Sequence, residues 1–319
     1  MEHIYDTVIL GGGPAGYSAA LYCARGGLDT LIIEKISPGG QMALTGDIDN
    51  YTGFDEGVDG FTLGMKMQKG AERFGAATEY AEVTSVSLSE GIKKVETSQG
   101  TFFAKTVIIA TGAKPRRLGL DHEDELTGRG VHYCAHCDGR FYKDKTVAVV
   151  GGGNSAVQDS LYLSRLAKKV YVIHRRDTLR GERIHHEPLM RAENVEFIWN
   201  STVSLLDFEK RLTAVTVKNK ISNEERKIEL DGLFVSIGRE PESALFADEL
   251  SLDENGYIIA DETTKTSLEG VFAAGDVRTK RLRQVVTAAA DGAVSAHLAE
   301  EYIQGLTSDL SLPQITPAI

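Results

Sequence analysis

The sequence predicts an α/β protein with two similar three-layer domains. A β-branched run, a glycine-rich turn and a helix-compatible segment follow one another twice, as TVILGGGPAGYSAA (7–20) and VAVVGGGNSAVQDS (147–160). The second copy keeps the register of the first through the next predicted strand, where KVYVIHR (169–175) corresponds to DTLIIEK (29–35). A single G-x-G-x-x-G/A motif is a weak signal, but two copies in strand–turn–helix context at one register indicate an internal duplication.

Small residues recur at three positions of each turn, and each position has a mechanical role. The first glycine permits a tight turn, the second lets backbone amides approach a pyrophosphate, and the third small residue lets helix pack closely on strand. The pyrophosphate would then rest on a helix N-terminus. The alternative, small residues that only ease a helix–sheet crossing, explains one copy better than it explains two. The positions are Gly11, Gly13 and Gly16 in the first copy and Gly151, Gly153 and Ala156 in the second.

A β-meander is expected after each copy. Alternating runs punctuated by glycine and serine occupy residues 79–104 after the first copy and 195–220 after the second. Each run is followed by an apolar strand, which ends at Gly112 in the first case and at Gly238 in the second. Both halves are therefore predicted to be parallel sheets interrupted by a β-meander.

The first domain is expected to be discontinuous. Near the C-terminus, one more apolar strand, a turn at Gly275 and Asp276 and a long helical pattern have no counterpart at the end of the second copy. We expect this segment to return to the first domain. The prediction is two Rossmann-like, FAD/NAD(P)-binding domains: residues 1–114 and 246–319 form an FAD-binding domain, and residues 115–245 form an NADPH-binding domain that carries the CxxC motif.

Composition excludes several classes of partner. The 319-residue chain has a formal charge of −11 and a pI near 5.3, which argues against nucleic acid or an anionic membrane, because both need a basic face. No apolar run approaches the roughly 18 residues that span a bilayer, and acidic residues stand in MEHIYDTVILGGG where a signal peptide needs positive charge. Three cysteines without a disulfide framework favour the reducing cytoplasm.

The two copies differ at the end of their second predicted strand. Glu34 ends that strand in the first copy, where an acid accepts hydrogen bonds from a ribose hydroxyl of FAD or NAD. The corresponding residue in the second copy is His174, which is followed by Arg175, Arg176 and Arg180. Guanidinium groups pair with the 2′-phosphate that an acid would repel, so the second site is predicted to bind NADPH. The alternative for the arginines is a solvated basic face.

The stretch VHYCAHCDGRFY (131–142) raises a choice between a metal clamp and a redox disulfide. His132, Cys134, His136 and Cys137 lie within six consecutive residues, and the chain has no second CxxC. Tetrahedral zinc usually takes its four ligands from two separated segments, so the redox interpretation is favoured and no metal is expected. Cys23, within the first predicted helix, is interpreted as a small buried hydrophobic residue.

Nine motifs occur in an order that resembles a known family over nearly the whole chain. They are GGGPAGYSAALYCAR, PGGQM, ATGA, CAHCDG, GGGNSA, HRRDTLR, IGREP, AAGDV and RQVVTAAADG. The chain is similar in this respect to the low-molecular-weight thioredoxin reductases. The most specific element is the CxxC-Asp-Gly placed just before the second fingerprint, because larger disulfide reductases carry their cysteines in the FAD domain.

The resemblance implies a homodimeric thioredoxin-disulfide reductase. NADPH would reduce FAD, the flavin would reduce a Cys134–Cys137 disulfide, and the dithiol would reduce thioredoxin, with rotation of the NADPH domain between the half-reactions. By the same resemblance, Cys137 is the sulfur nearer the flavin and Asp138 is the proton donor or acceptor. The alternative for Asp138 is a turn or helix-capping residue. His136 departs from the family, which most often has Thr there; it is either an influence on the thiolate pKa or an exposed loop histidine.

Cofactor contacts are also carried over from the resemblance. The residues expected to contact FAD are Gly11, Gly13, Gly16, Glu34, Gly40, Gln41, Asn50, Thr111, Gly112, Gly275, Asp276, Arg283 and Gln284. The residues expected to contact NADPH are Gly153, Asn154, Ser155, His174, Arg175, Arg176 and Arg180.

Two other functions remain open from the sequence. One is a flavoprotein of the same shape that reduces a different carrier, or takes electrons from ferredoxin, although the intact HRRDTLR segment disfavours ferredoxin. The other is a non-enzymatic redox sensor that binds nucleotides, for which a complete CxxC-Asp set would be superfluous. Steady turnover of a disulfide partner distinguishes an enzyme from a sensor.

Overall fold

The structure, a computed structural model, describes residues 2–44, 47–180, 184 and 186–311. The chain divides into two compact units. Unit 1 comprises Met1–Lys114 and Glu240–Ile319, and unit 2 comprises Pro115–Arg239. Each unit combines parallel strands with helices.

Nineteen strands and seven α-helices lie within the described ranges. The strands are β1 (Ile4–Leu10), β2 (Thr30–Glu34), β3 (Asp47–Ile48), β4 (Val58–Asp59), β5 (Ala77–Tyr80), β6 (Val83–Ser87), β7 (Lys93–Thr97), β8 (Gly100–Ile109), β9 (Ala113–Pro115), β10 (Val131–His132), β11 (Thr146–Val150), β12 (Lys169–Ile173), β13 (Val195–Ile198), β14 (Ser201–Phe208), β15 (Leu212–Asn219), β16 (Glu225–Glu229), β17 (Gly232–Val235), β18 (Arg239–Pro241) and β19 (Val271–Ala273). The helices are α1 (Pro14–Arg25), α2 (Gly60–Glu72), α3 (Glu123–Leu126), α4 (Ala135–Asp138), α5 (Asn154–Ser164), α6 (His186–Met190) and α7 (Val285–Ser311).

The main sheet of unit 1 joins a parallel part to a β-meander. Its strands follow the order β5-β2-β1-β8-β7-β6, and β19 pairs in parallel with β8. β6 pairs antiparallel with β7 and β7 pairs antiparallel with β8, so these three strands form the meander. The C-terminal strand β19 therefore completes the sheet that begins at the N-terminus.

Both faces of this sheet are covered. Along β1, Val8 and Leu10 belong to one apolar core and Ile9 belongs to the other, because successive side chains of a strand point to opposite faces. The first core also contains Leu88 and Val95 from the meander. The second core contains side chains of α1, α2 and α7. Burial on both faces explains why the β-branched and leucine-rich runs around the first fingerprint are continuous rather than alternating.

Unit 2 has the same layered plan with a different meander. Its parallel sheet has the strand order β10-β17-β11-β12-β13, and β14, β15 and β16 form a separate antiparallel sheet. Val147 and Val149 pack with α5, whereas Ala148 and Val150 pack with the meander residue Val215. The structure confirms the predicted fold class: an α/β chain with two three-layer halves, each with a β-meander.

The chain passes from unit 2 back into unit 1 between Arg239 and Glu240. Phe246 and Leu250 are fully or nearly fully buried in the same core as β1 and β8. Their burial explains why the segment after Glu240 belongs with unit 1. No helix in the described part of the chain is long and apolar enough to cross a membrane.

Helices α1 and α7 touch at their backbones. A Cβ atom on Gly292 of α7 would lie 2.2 Å from the carbonyl oxygen of Ala15 and 2.8 Å from the backbone nitrogen of Ala19. The hydroxyl of Ser18 donates to the carbonyl of Ala289 at 2.7 Å, which fixes the crossing. Only glycine fits at position 292 without moving one of the helices.

We expect Gly292→Ala to destabilise the protein by about 2 kcal/mol or more, because overpacking of a tight contact costs roughly 1 to 3 kcal/mol. The matched control is Gly305→Ala on the same helix, where an added Cβ meets nothing within 4 Å. Alanine is favoured over glycine in a helix, so the control should hold or slightly raise stability. Urea unfolding of the two variants measures the difference; equal midpoints would contradict the tight crossing.

Candidate active site

The two cysteines of the CxxC motif are joined at the start of a short helix. A disulfide links Cys134 and Cys137, whose Cα atoms are 5.3 Å apart. Cys134 is the N-cap residue of α4, and its sulfur accepts a hydrogen bond from the backbone N–H of Cys137 at 3.2 Å. Buried Ala135 anchors the turn between them. Residues three apart on a helical turn lie on one side of it, so the local fold brings the sulfurs together.

Asp138 directly follows the second cysteine and is held from strand β10. One of its carboxylate oxygens, Oδ2, lies 3.0 Å from Nδ1 of His132, and both side chains are largely buried. The side chain makes no capping hydrogen bond to the 3₁₀ turn Gly139–Tyr142 that begins beside it. The capping alternative for Asp138 therefore has no support in the hydrogen bonds of this turn.

His136, between the cysteines, is exposed and packs its ring against Tyr162 at 4.5 Å between centroids. This position matches the loop-histidine interpretation. Among the described residues, no group of three or more His, Cys, Asp or Glu side chains is arranged to hold a metal ion.

The first glycine-rich turn joins β1 to α1 and leaves the helix N-terminus open. Gly11 has φ of +106°, and a Cβ there would lie 2.5 Å from the carbonyl oxygen of Ala110. A Cβ on Gly16 would lie 1.8 Å from the carbonyl oxygen of Gly11. A Cβ on Gly13, the N-cap of α1, would meet nothing within 4 Å. The turn is thus closed against the sheet and open at the helix end, which fits a bound pyrophosphate.

Glu34 reaches back to this turn from the end of β2. Its Oε2 accepts from the N–H of Gly12 at 2.7 Å, and its Oε1 accepts from the N–H of Ile36 at 2.9 Å. A carboxylate has about four acceptor positions, so both oxygens can still accept from hydroxyl groups. The fixed carboxylate beside the glycine-rich turn fits the adenosine ribose of a dinucleotide.

Several predicted FAD contacts gather around the first turn. A Cβ on Gly40 would lie 3.5 Å from the Cα of Gly13, and a Cβ on Gly275 would lie 2.9 Å from the Cβ of Ala15. Thr111 follows Ala110, and the backbone of both residues lies against Gly11. The hydroxyl of Thr111 donates to the carbonyl of Glu242 at 2.6 Å. The neighbouring Gly112 has φ of +75°.

A second group of predicted FAD contacts lies around Asn50 and Gln284. The amide of Asn50 donates to Oε1 of Gln284 at 2.9 Å. Met42, beside the exposed Gln41, packs in one apolar cluster with Tyr51 and Val285, the neighbours of that pair. The hydrogen bond and the apolar cluster together hold the segments that carry Gln41, Asn50 and Gln284 against one another.

Asp291 of α7 fixes the turn at Gly275 and Asp276. Its Oδ2 accepts from the N–H of Gly275, from Nε of Arg278 and from Nζ of Lys280, each at 2.8 Å. Burial raises the pKa of Asp291, but the hydrogen bonds from Arg278 and Lys280 outweigh it and lower that pKa below its usual value. Arg283 lies over the ring of Tyr257, with its guanidinium carbon 4.0 Å from the ring centroid.

The second glycine-rich turn repeats the geometry of the first. Gly151 has φ of +146°, and a Cβ there would lie 2.3 Å from the carbonyl oxygen of Ser236. A Cβ on Gly153, the N-cap of α5, would meet nothing within 4 Å. Asn154 and Ser155 begin α5 and are exposed. This helix N-terminus is also open to a pyrophosphate.

A basic cluster stands beside the second turn. The ring of His174 packs over Gly152, and its buried Nε2 has no hydrogen-bond partner. Burial, followed by the charge of Arg180, lowers the pKa of His174, so its imidazole is neutral near pH 7. Arg175, Arg176 and Arg180 are exposed, and none of them forms an ion pair with a carboxylate in the described part of the chain. An unpaired buried nitrogen and three free guanidinium groups fit a phosphate group.

Two polar side chains next to the disulfide were not assigned from the sequence. His132 was considered only as a metal ligand, and Tyr142 was not singled out, yet both lie in one hydrogen-bonded group with Asp138. Position 132 is buried because it lies on the two-residue strand β10, which pairs with β17, and this pairing is not visible in the sequence around the CxxC.

Known proteins of one family match this chain. The pyridine nucleotide-disulphide oxidoreductase family matches residues 5–292. The thioredoxin reductase of Listeria innocua is 45% identical over 310 residues, which cover 97% of this chain and 97% of the relative. The thioredoxin reductase of Bacillus subtilis is 44% identical over 310 residues, with 97% and 98% covered.

Solved structures show the same similarity. The crystal structure of thioredoxin reductase from Streptococcus pyogenes has a TM-score of 0.88 and 42% identity, and the alignment covers 96% of this chain and 100% of that one. The FR-conformation structure of Lactococcus lactis thioredoxin reductase has a TM-score of 0.68 and 40% identity, with 94% and 99% covered.

We expect the reduced native protein to expose two reactive thiols. Burial raises the pKa of the third cysteine, Cys23, to about 12, so it carries almost no thiolate at about pH 8. After reduction with dithiothreitol, iodoacetamide should alkylate Cys134 and Cys137 quickly and Cys23 only after denaturation, as read by peptide mass spectrometry. A Cys23→Ala variant should give the same native labelling; fast labelling of native Cys23 would contradict its burial.

Proposed function

The chain belongs to the pyridine nucleotide-disulphide oxidoreductase family, and we propose that it is an NADPH-dependent, FAD-containing thioredoxin-disulfide reductase. The observation that carries this proposal is the Cys134–Cys137 disulfide at the N-terminus of α4, in a chain with two open dinucleotide turns. Thioredoxin is the disulfide carrier that the names of the relatives indicate.

FAD is assigned to unit 1. The open N-terminus of α1 would receive the pyrophosphate, and Glu34 would accept from the adenosine ribose. The remaining contacts proposed on this side are Gly11, Gly13, Gly16, Gly40, Gln41, Asn50, Thr111, Gly112, Gly275, Asp276, Arg283 and Gln284. What supports the assignment is the open N-terminus of α1, the close approach of Gly40 and Gly275 to the first turn and its helix, and the acid at the end of β2.

NADPH is assigned to unit 2. Gly153, Asn154 and Ser155 would present backbone amides to the pyrophosphate, and the basic cluster would hold the 2′-phosphate. The cluster comprises His174, Arg175, Arg176 and Arg180. The negative charge of a bound phosphate would favour the protonated form of the His174 ring. The buried Nε2, which has no hydrogen-bond partner in the structure, could then donate to a phosphate oxygen.

The disulfide exchanges two electrons and two protons in each cycle. Bound FAD would supply the chemistry that converts a hydride from NADPH into two electrons for the disulfide. The S–S bond breaks, Cys137 is proposed as the sulfur nearer the flavin, and Asp138 delivers a proton to a departing thiolate. The resulting dithiol attacks the disulfide of thioredoxin, and the S–S bond of Cys134 and Cys137 forms again as the thioredoxin dithiol leaves.

Rotation of the NADPH domain between the two half-reactions forms part of this proposal. Unit 2 is one continuous segment, Pro115–Arg239, so only two chain connections would have to bend. We further propose a homodimer in the cytoplasm. The low cysteine content supports the cytoplasm, and the family resemblance supports the homodimer. The molecular mass measured by light scattering tests the dimer.

Replacing either cysteine by serine should separate the two half-reactions. Cys134→Ser and Cys137→Ser should still bleach their flavin with NADPH but lose thioredoxin reduction, because the hydride step does not need the disulfide. An anaerobic NADPH titration followed by visible absorbance should show one fewer two-electron equivalent than in the wild type. The matched control is Cys23→Ser. Wild-type thioredoxin turnover by both active-site variants would disprove the proposed function.

The basic cluster should set the choice of nucleotide. Arg175→Ala or Arg176→Ala removes a charge-assisted pair to the 2′-phosphate, worth about 1.5 to 3 kcal/mol, so kcat/KM for NADPH should fall roughly tenfold or more. The kcat/KM for NADH should hardly change. Arg165→Ala is the control, because Arg165 is exposed at the opposite end of α5. Equal kcat/KM values for NADPH and NADH in the wild type would refute the assignment.

A further inference from the structure

A buried histidine connects Asp138 to a tyrosine in unit 2. His132 is 6% exposed, and its Nδ1 lies 3.0 Å from Oδ2 of Asp138. Its Nε2 lies 2.6 Å from the hydroxyl of Tyr142, which is 2% exposed. Both ring nitrogens therefore have a partner, and each partner comes from the segment that carries the disulfide.

Packing fixes the orientation of the His132 ring. β10 pairs in parallel with β17, and His132 stands opposite Phe234 in that register. The two rings are stacked with centroids 5.3 Å apart and an interplanar angle of 27°. The ring of Tyr142 meets the imidazole at its edge, 5.1 Å away at 71°. The imidazole cannot turn without leaving both aromatic contacts and both hydrogen bonds.

The direction of the hydrogen bonds follows from the carboxylate of Asp138. A carboxylate oxygen only accepts, so Nδ1 of His132 carries the N–H that faces Oδ2 of Asp138. The hydroxyl of Tyr142 then donates to Nε2 of His132. Burial raises the pKa of Tyr142, and the charges of Asp138 and Asp231 act in the same sense, so the hydroxyl keeps its proton.

We propose that His132, fixed by Tyr142, is a positioning residue for the proton transfer at the disulfide. Its Nδ1–H holds Oδ2 of Asp138 and leaves Oδ1 to exchange a proton with a cysteine sulfur. This proposal rests on the reductase function proposed above, which supplies the two electrons.

The balance of the step is simple. Two electrons enter the Cys134–Cys137 bond and the S–S bond breaks, which leaves two thiolates. One thiolate takes its proton from Oδ1 of Asp138, and the other takes its proton from solvent. The carboxylate that remains is stabilised by the hydrogen bond from His132, because both side chains are largely buried. Solvent returns the proton to Asp138 when the cycle closes. In other acid–base sites too, a second group holds the catalytic acid or base in the orientation that proton transfer needs.

Three variants separate positioning from packing. His132→Phe keeps an aromatic ring on Phe234 but removes both nitrogens. His132→Asn restores a donor near the place of Nδ1, because the asparagine amide can reach the same carboxylate. Tyr142→Phe keeps the ring of residue 142 and removes only the hydroxyl that fixes the imidazole.

In the holoenzyme, His132→Phe should lower kcat for thioredoxin about tenfold or more. General acid catalysis contributes on the order of 100-fold to a rate, and part of this contribution depends on the orientation of the acid. The KM for thioredoxin and the rate of flavin bleaching by NADPH should stay at wild-type values. The pH profile of kcat should move by about one unit, which corresponds to a tenfold change. His132→Asn should recover to within about threefold, and Tyr142→Phe should fall between the two.

A second readout needs neither cofactor turnover nor thioredoxin. Dithiothreitol reduces the Cys134–Cys137 disulfide directly, and the fraction reduced is read by alkylation and mass spectrometry. The leaving sulfur needs the same proton, so His132→Phe should slow this reaction several-fold in the folded protein, and all variants should react alike in urea. If wild-type protein fails to reduce thioredoxin, the proposed function fails while this comparison still tests His132.

Wild-type rates in both His132→Phe and Tyr142→Phe would overturn the proposal. So would equal losses in His132→Phe and His132→Asn with an unshifted pH profile, because that pattern identifies packing alone. If His132→Phe does not fold, His132→Asn and Tyr142→Phe decide: a Tyr142→Phe enzyme with wild-type kcat and pH profile removes the basis of the inference.

Discussion

Both cofactor sites depend on how closely a helix N-terminus approaches the carboxyl end of a parallel strand. In unit 1 the approach leaves no room for a side chain at Gly16, whose Cβ would lie 1.8 Å from the carbonyl oxygen of Gly11. A Cβ on Gly151 of unit 2 would lie 2.3 Å from the carbonyl oxygen of Ser236, just as a Cβ on Gly11 of unit 1 would lie 2.5 Å from that of Ala110. Once the helix is this close, its N-terminal N–H groups point at one location, and we propose that the acid or the basic cluster at the end of the next strand selects the nucleotide.

The sequence predicted those features that are set by local spacing. Short, fixed numbers of residues separate the glycines within each copy of the duplicated turn. The same holds for the two cysteines of the CxxC, and for each turn and the acid or histidine at the end of the strand that follows it. Each of them can be read from residue type, because only glycine allows the close approach and only a nearby cysteine pair closes such a small loop. The buried strands were predictable for a similar reason, since a sheet covered on both faces needs continuous apolar runs.

Other features depend on contacts between distant segments, and no local pattern encodes them. The contact of Gly292 with Ala15 requires two helices from opposite ends of the chain. The pairing of Asn50 with Gln284 spans a similar distance in sequence. His132 is close to Asp138 in sequence, but the role proposed for it depends on Phe234, which tertiary packing brings to it. No break in composition marks the point where the chain returns to unit 1 at Glu240. The return depends instead on the burial of Phe246 in the core of that unit.

The discontinuous unit 1 has a consequence for the order in which the protein is made. Strand β19 and helix α7 leave the ribosome after the whole of unit 2, and without them β8 lacks one of its neighbours and α1 lacks its contact with α7. Unit 2 is encoded without interruption and has all its strands as soon as residue 239 has emerged. During synthesis, therefore, the middle of the chain can fold while the N-terminal segment still waits with an uncovered sheet edge and apolar face. The interval of greatest exposure to aggregation and to chaperones falls between the synthesis of Lys114 and that of α7.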